Sequence, residues 1–156
     1  MARATPATQA LERAGIAFRL HEYIYDPKAE RIGLQAAAAL GVEPGRLFKT
    51  LMVQIGAAVV CALVPSDRQL NLKRLADAAG VKSAALLAGA AAERLSGYHV
   101  GGISPLGQRR RCACYLDASA LAHATVLVNG GRRGLQIELT PGDLVRILEA
   151  TTRQLC

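Results

Sequence analysis

A chain of 156 residues, 51% of them hydrophobic, is long enough to bury one ordinary core and too apolar to be disordered. Its formal charge of +7 favours an acidic partner, nucleic acid first, with a merely basic surface as the other reading. Four scattered cysteines without a C-x-x-C pair, no apolar leader and no apolar run of membrane length argue against a disulfide scaffold, a zinc site and a membrane span, and suit a cytoplasmic protein with reduced thiols.

Thr5-Pro6 reads as a helix cap with proline at the first helical position, so Ala7–Ala14 is predicted helical and Gly15 stops it. Ile16–Tyr25 suits a strand, and its segment His21-Glu22-Tyr23-Ile24-Tyr25-Asp26 is rich in side chains able to reach a ligand. Arg31–Leu40 is a second helix, stopped by Gly41, and Pro44-Gly45 is a turn. Leu47–Ile55 and Val59–Val64 form a hairpin across Gly56. Lys49 sits among apolar neighbours there, either snorkelling from an edge strand or held as an ammonium at the mouth of a pocket.

Asn71 caps a helix over Leu72–Ala79, which Gly80 ends. Val81–Ala84 reads as a short strand and Ala88–Leu95 as an alanine-rich helix. Next comes Gly101-Gly102-Ile103-Ser104-Pro105-Leu106-Gly107, with three glycines and a proline in seven residues, followed by Arg109, Arg110 and Arg111. A glycine pair permits positive φ and lets backbone N–H groups approach a ligand closely. Cys112–Leu116 is a strand with Cys112 and Cys114 on one face, Asp117 caps a turn over Ala118–Ala122, and Thr125–Val128 is a strand. A second glycine-rich turn, Asn129-Gly130-Gly131-Arg132-Arg133-Gly134, again carries a pair of arginines and leads into Leu135–Leu139. Strict alternation there turns Leu135, Ile137 and Leu139 to the core and Gln136 and Glu138 to the other face. Thr140-Pro141-Gly142-Asp143 starts a last helix, expected to reach about Thr151.

Helices and strands without regular βαβ alternation predict a single α/β domain over 1–156, with a mixed, largely antiparallel, barrel-like sheet surrounded by helices. No serine elbow is present, the three histidines (His21, His99, His123) are scattered, and no metal or cofactor motif appears. What remains is backbone N–H groups, Lys49, a tyrosine and arginine clusters, a set able to hold a phosphate and polarise a carbonyl but lacking a nucleophile.

Several segments together resemble the YbaK/EbsC family of Cys-tRNA(Pro) deacylases, relatives of the editing domain of bacterial prolyl-tRNA synthetases. They are His21-Glu22-Tyr23, Phe48-Lys49-Thr50-Leu51, Gln69-Leu70-Asn71-Leu72-Lys73, Gly97–Gly107 and Gly130–Leu139, in family order across nearly the whole chain. The resemblance implies an enzyme that removes cysteine from mischarged Cys-tRNA(Pro) in trans, and in some cases from Cys-tRNA(Cys). A pocket separates near-isosteric amino acids by only about 1–3 kcal/mol, so a second check after charging is useful. It also implies a mechanism in which the substrate's own thiol attacks its ester. Lys49 would then serve the terminal adenosine phosphate or the ester, and Gly101 and Gly102 the aminoacyl carbonyl. Tyr23, Ile32, Ser104 and Gln136 would line the substrate pocket.

Arg109, Arg110, Arg111, Arg132 and Arg133 would track tRNA phosphates, or else be solvated turns. A complex with prolyl-tRNA synthetase is implied for tRNA choice. Two departures from the family pattern stand out: Gln136 replaces an aspartate, and Ile32 an aromatic residue. A water-using deacylase for alanine or another small amino acid, and a non-catalytic aminoacyl-tRNA or synthetase-binding module, are the competing functions.

Overall fold

The computed structural model describes residues 4–156. Its helices are α1 (Pro6–Arg13), α2 (Ile32–Leu40), α3 (Leu72–Ala79), α4 (Gly89–Ser96) and α5 (Pro141–Leu148). Its strands are β1 (Arg19–Glu22), β2 (Leu47–Ile55), β3 (Ala58–Pro65), β4 (Ala85–Leu86), β5 (Cys114–Asp117), β6 (Val126–Asn129), β7 (Leu135–Leu139) and β8 (Thr151–Arg153). Local chemistry sets the helix ends. Thr5, Asn71 and Thr140 each accept a backbone N–H at the start of α1, α3 and α5, while Gly41, Gly80 and Gly97 close α2, α3 and α4 in the left-handed conformation.

The strands form one sheet in the order β1-β7-β6-β2-β3-β5-β8, with β4 added to β2. Pairings β1/β7, β6/β7, β2/β3 and β2/β4 are antiparallel, and β2/β6, β3/β5 and β5/β8 are parallel. One face carries Phe48, Met52, Leu63, Leu116, Val128 and Ile137, which meet Leu11 of α1, Ala92 of α4 and Leu144 of α5 in a single buried cluster. This face of the sheet is thus covered by α1, α4 and α5, and no ladder between β1 and β8 closes the sheet into a barrel among the described residues. A second cluster packs α3 on the opposite face, and a third packs Ala36 and Ala37 of α2 on Leu47 and Leu127.

Four local expectations need correction. The strand predicted over Ile16–Tyr25 is paired only over Arg19–Glu22, because β1 is an edge strand whose single partner, β7, has five residues. The strand expected at Val81–Ala84 lies instead at Ala85–Leu86, where a partner on β2 is available. The last helix stops at Leu148, with Glu149 at φ 51°, and Thr151–Arg153 pairs with β5. Adjacent β-branched threonines favour that extended pairing over another helical turn. Finally, Lys49 is not on an edge strand: β2 is central, with β3 on one side and β6 and β4 on the other.

Candidate functional site

The central position of β2 creates the site. On one flank β2 pairs with β3 along its whole length. On the other, β6 pairs only with Leu47 and Phe48, and β4 only with Val53 and Gln54. Between them the sheet has a gap beside Lys49, Thr50 and Leu51. In an antiparallel ladder successive residues direct their N–H and C=O groups to alternate sides. Leu47 C=O accepts from Ser66 N–H on the β3 side, and Met52 C=O accepts from Leu87 N–H on the β4 side. The backbone groups of Thr50 therefore face the gap.

A cavity of about 450 Å³ opens there. Ile32, Leu87, Ile103 and Val100 give it apolar walls, while Lys49, Thr50, Gly101, Asn129 and Gln136 supply polar atoms. The sheet register explains the grouping. Leu47 pairs with Leu127, and Asn129 with Gln136, so Lys49, Asn129 and Gln136 lie along one row across three strands on the face covered by α2. Gln136 is 3% exposed, and its Oε1 has no hydrogen-bond partner among the described residues; neither does Thr50 Oγ1. A buried unpaired acceptor costs about 1–3 kcal/mol, so both atoms mark places where a ligand or water donor is favoured.

Burial lowers the Lys49 pKa below the ordinary lysine value, with opposing and supporting fields from Cys156, Arg31 and Asp67. Lys49 makes no ion pair among the described residues. It is a half-buried ammonium with its charge unspent.

The Gly101–Gly107 loop forms the facing wall. Gly101 lines the cleft at φ 92°, with its carbonyl accepting from Asn129 Nδ2 at 3.2 Å. Gly102 lies behind it: its N–H donates to His99 C=O at 2.8 Å, and a Cβ would come within 2.8 Å of the backbone between Arg132 and Arg133. Ser104 is fully buried, its hydroxyl accepting from Leu106 N–H, so it shapes the loop rather than lining the cleft. Tyr23 also stays out of the lining and packs against the α2 cluster. Burial raises its pKa, with the neighbouring Gln136 side chain acting against the rise, and its hydroxyl has no partner among the described residues. Ile32 does line the cleft, at the start of α2.

The five arginines lie outside the lining. Arg132 pairs with Glu22 at 3.0 Å. Arg133 donates from Nε to Val100 C=O at 2.9 Å and stacks over Tyr25, 5.4 Å from its ring centroid. Arg111 pairs with Glu149 at 2.9 Å, while Arg109 packs beside Gly97 and Arg110 is exposed. The cations at the cleft mouth besides Lys49 are Arg31 and Arg68, which no motif had singled out.

In the sequence Asn129 figures only as the first residue of the second glycine-rich turn, with no role of its own. Its Oδ1 accepts from Gly131 N–H at 2.7 Å while its Nδ2 holds Gly101, so it bolts the two glycine loops together. The Asn-Gly-Gly turn signal was present, but its use in tertiary bridging is set by strands distant in sequence.

The lining holds no histidine or cysteine. His21 bonds Glu138 at 2.7 Å, His99 is exposed beside Glu93, and Cys61, Cys112 and Cys114 belong to the core on the far face. Among the described residues no group of three metal-ligating side chains is assembled. No helix is long and apolar enough to cross a membrane.

Fold and cleft together define an α/β domain with a ligand-sized cavity at a break in its sheet. The description "aminoacyl-tRNA editing domain" fits residues 26–147, and the chain belongs to that family. It is 32% identical, over 96% of its length and 94% of the relative's, to a protein of Enterococcus faecalis named "Putative Cys-tRNA(Pro)/Cys-tRNA(Cys) deacylase EbsC". It is also 30% identical over 61% of its length to the proline–tRNA ligase of Desulforamulus reducens, of which it spans only 17%. A solved structure described as a "putative trans-editing enzyme for prolyl tRNA synthetase" superposes with a TM-score of 0.85 at 25% identity, covering 99% of this chain and 98% of that one. The hypothetical protein APE2540 superposes at 0.84 with 28% identity, covering 97% and 99%. The function of the chain is therefore aminoacyl-tRNA editing, with a charged tRNA as its substrate.

Proposed function

We propose that the chain acts as one domain, in the cytoplasm and in trans, to remove cysteine from Cys-tRNA(Pro), with Cys-tRNA(Cys) as a second substrate of the same chemistry. The observation that carries this reading is the composition of the cleft: an unspent ammonium and backbone donors, with no histidine or cysteine to supply a nucleophile. A substrate bearing its own thiol needs only to be folded back on itself. The cysteine sulfur attacks the ester carbonyl, the C–S bond forms, and the C–O bond to the ribose breaks. The thiol proton leaves with the ribose oxygen, giving cysteine thiolactone and free tRNA. Holding thiol and carbonyl together converts the step into a proximity problem.

In this reading Lys49 holds the terminal phosphate and the ester end, and Gly101 N–H and Thr50 N–H face the carbonyl oxygen. Gly102 and Ser104 fix the loop that carries Gly101. Gln136 accepts from the substrate α-amine, backed by Tyr23, and Ile32 closes the side-chain pocket. Arg109, Arg110 and Arg111, with Arg132 and Arg133, contribute field rather than contacts inside the cleft. Prolyl-tRNA synthetase, as partner in a ternary complex, would supply tRNA choice.

The test is deacylation of Cys-, Ser-, Ala- and Pro-tRNA(Pro). Cysteine release with serine spared, and its loss in Lys49→Ala, is the expected result. Equal hydrolysis of Ser-tRNA(Pro) would overturn the thiol mechanism.

A further inference from the structure

A second cavity, of about 280 Å³, lies beside the main cleft, and the two share a rim made by Asp67 and Arg68. Its far wall includes Ser119, His123 and Gln154. We propose that this cavity receives the nucleotide preceding the terminal adenosine of the RNA end, with Arg68 on the phosphodiester between the two. The proposal rests on the editing reading of the main cleft.

Three observations converge on it. First, the rim is chemically a nucleotide linkage in negative. Arg68 is exposed and makes no ion pair among the described residues. A guanidinium matches phosphate geometry with paired N–H donors. Asp67 beside it is an acceptor suited to a ribose hydroxyl or an exocyclic amine. Lys49 lies close enough to feel the Asp67 carboxylate at the rim, so a phosphate crossing there would meet two cations.

Second, the wall of the cavity is a hydrogen-bonding surface rather than a charged one. The Asp117 carboxylate at its base is already engaged: Oδ1 accepts from Leu155 N–H at 2.8 Å and Oδ2 from Ser119 N–H at 3.2 Å. The Ser119 side chain also bonds that carboxylate, so what remains presented is an imidazole and an amide. These can pair with a base edge, and the imidazole can stack on its face.

Third, nothing in the cavity is set up to react. Burial pushes the Cys156 thiol up to about 11, so it stays protonated at neutral pH. The cavity therefore reads as a place for holding, and its connection to the main cleft sets the direction in which the RNA leaves: over Asp67 and Arg68, away from Arg109–Arg111.

The test compares adenosine, the dinucleotide CpA and the trinucleotide CCA as ligands for wild type, Arg68→Ala and His123→Ala, with thermal unfolding as the check on folding. Wild type should bind CpA more tightly than adenosine. Arg68→Ala should lose about tenfold in CpA affinity, with adenosine unchanged and the slope of log K against log salt smaller by about 0.7. His123→Ala should lose CpA affinity with its salt slope intact. In kinetics, Arg68→Ala should raise KM for a cysteinylated acceptor-stem RNA and leave the cysteinyl ester of adenosine untouched. Wild-type-like CpA binding by both variants, or an equal loss for adenosine, would overturn the proposal. Failure of the wild type to deacylate any cysteinyl ester would refute the editing reading, while the CpA comparison would still decide what the second cavity holds.

Discussion

In the proposed reaction Lys49 serves as an ammonium, and its surroundings make that form costlier than on an open surface. Burial is the main reason its pKa is lowered, and Arg31 adds to it. Activity that needs the charge is therefore present at low and neutral pH and is lost as pH rises through the lowered value, sooner than for an ordinary lysine. Lys49→Arg, which stays charged, should remove that alkaline limb in the ratio of the two kcat/KM profiles. Coincident profiles would mean that Lys49 ionisation does not limit the reaction. Lys49→Ala should lower kcat/KM about 10²-fold, the scale of losing one electrostatic stabiliser. Gly101 makes a different residue-level claim. At φ 92° a side chain is strained, and its Cβ would stand 2.8 Å from Tyr25 Oη and 3.2 Å from Arg133 Nε. Gly101→Ala should therefore cost about 1–3 kcal/mol in unfolding experiments, with activity falling further than stability explains.

At the scale of elements, the cleft exists because two strands stop short on the same edge of β2, and because two glycine loops are fastened together in front of the gap. Asn129 is the fastener. Asn129→Ala leaves Gly131 N–H and Gly101 C=O without their partner. It should cost about 1–2 kcal/mol in stability and raise KM as the loop loosens. Asn129→Asp keeps the bond to Gly131 N–H and loses the one to Gly101, so it should recover part of the stability and little of the KM. Equal KM in wild type and Asn129→Ala would show the loops to be held otherwise.

Helices were legible in the sequence because their ends are local chemistry: Thr5, Asn71 and Thr140 cap, and Gly41, Gly80 and Gly97 terminate. Most strands were legible as apolar runs. What could not be read was adjacency. Lys49 looked like an edge residue because β6, its neighbour across the gap, is contributed from far along the chain. The arginine doublet looked like a phosphate clamp because nothing local to Arg132 and Arg133 names Glu22, Val100 or Tyr25 as their partners. Lys49, Gly101, Ile32 and Gln136, singled out in the sequence, line one cleft, whereas Arg31, Arg68, Thr50 and Asn129 emerge only from the assembled sheet.

Across the whole molecule, one polar network ties together the strands that carry the row of Lys49, Asn129 and Gln136. Glu138 on β7 bonds His21 on β1 through Oε1 at 2.7 Å. Its Oε2 accepts from Thr125 Oγ1 at 2.5 Å, just before β6, and from Arg46 Nη2 at 3.0 Å, just before β2. Arg46 also donates to Thr125 C=O at 3.1 Å. The side chain of Gln136, two residues along β7 from Glu138 and so on the same face, is thus carried by strands whose mutual alignment the network fixes.

The bond from Thr125, then that from His21, holds the Glu138 pKa below the ordinary glutamate value, outweighing its partial burial. For a carboxylate depressed in the fold, the sign is settled: the contribution to stability is present above the unfolded-state pKa, near 4.3, and is lost as pH falls through the lower folded value. Thermal unfolding midpoints should therefore drop across that acid window in the wild type. Glu138→Gln cannot ionise, so that part of its profile should be flatter, and its midpoint at neutral pH lower by an amount corresponding to about 1–2 kcal/mol. Parallel acid profiles for the two proteins would place the acid sensitivity in another carboxylate. A neutral-pH loss accompanied by higher KM for the charged tRNA, with kcat retained, would show that strand alignment at Glu138 reaches the row of Lys49, Asn129 and Gln136.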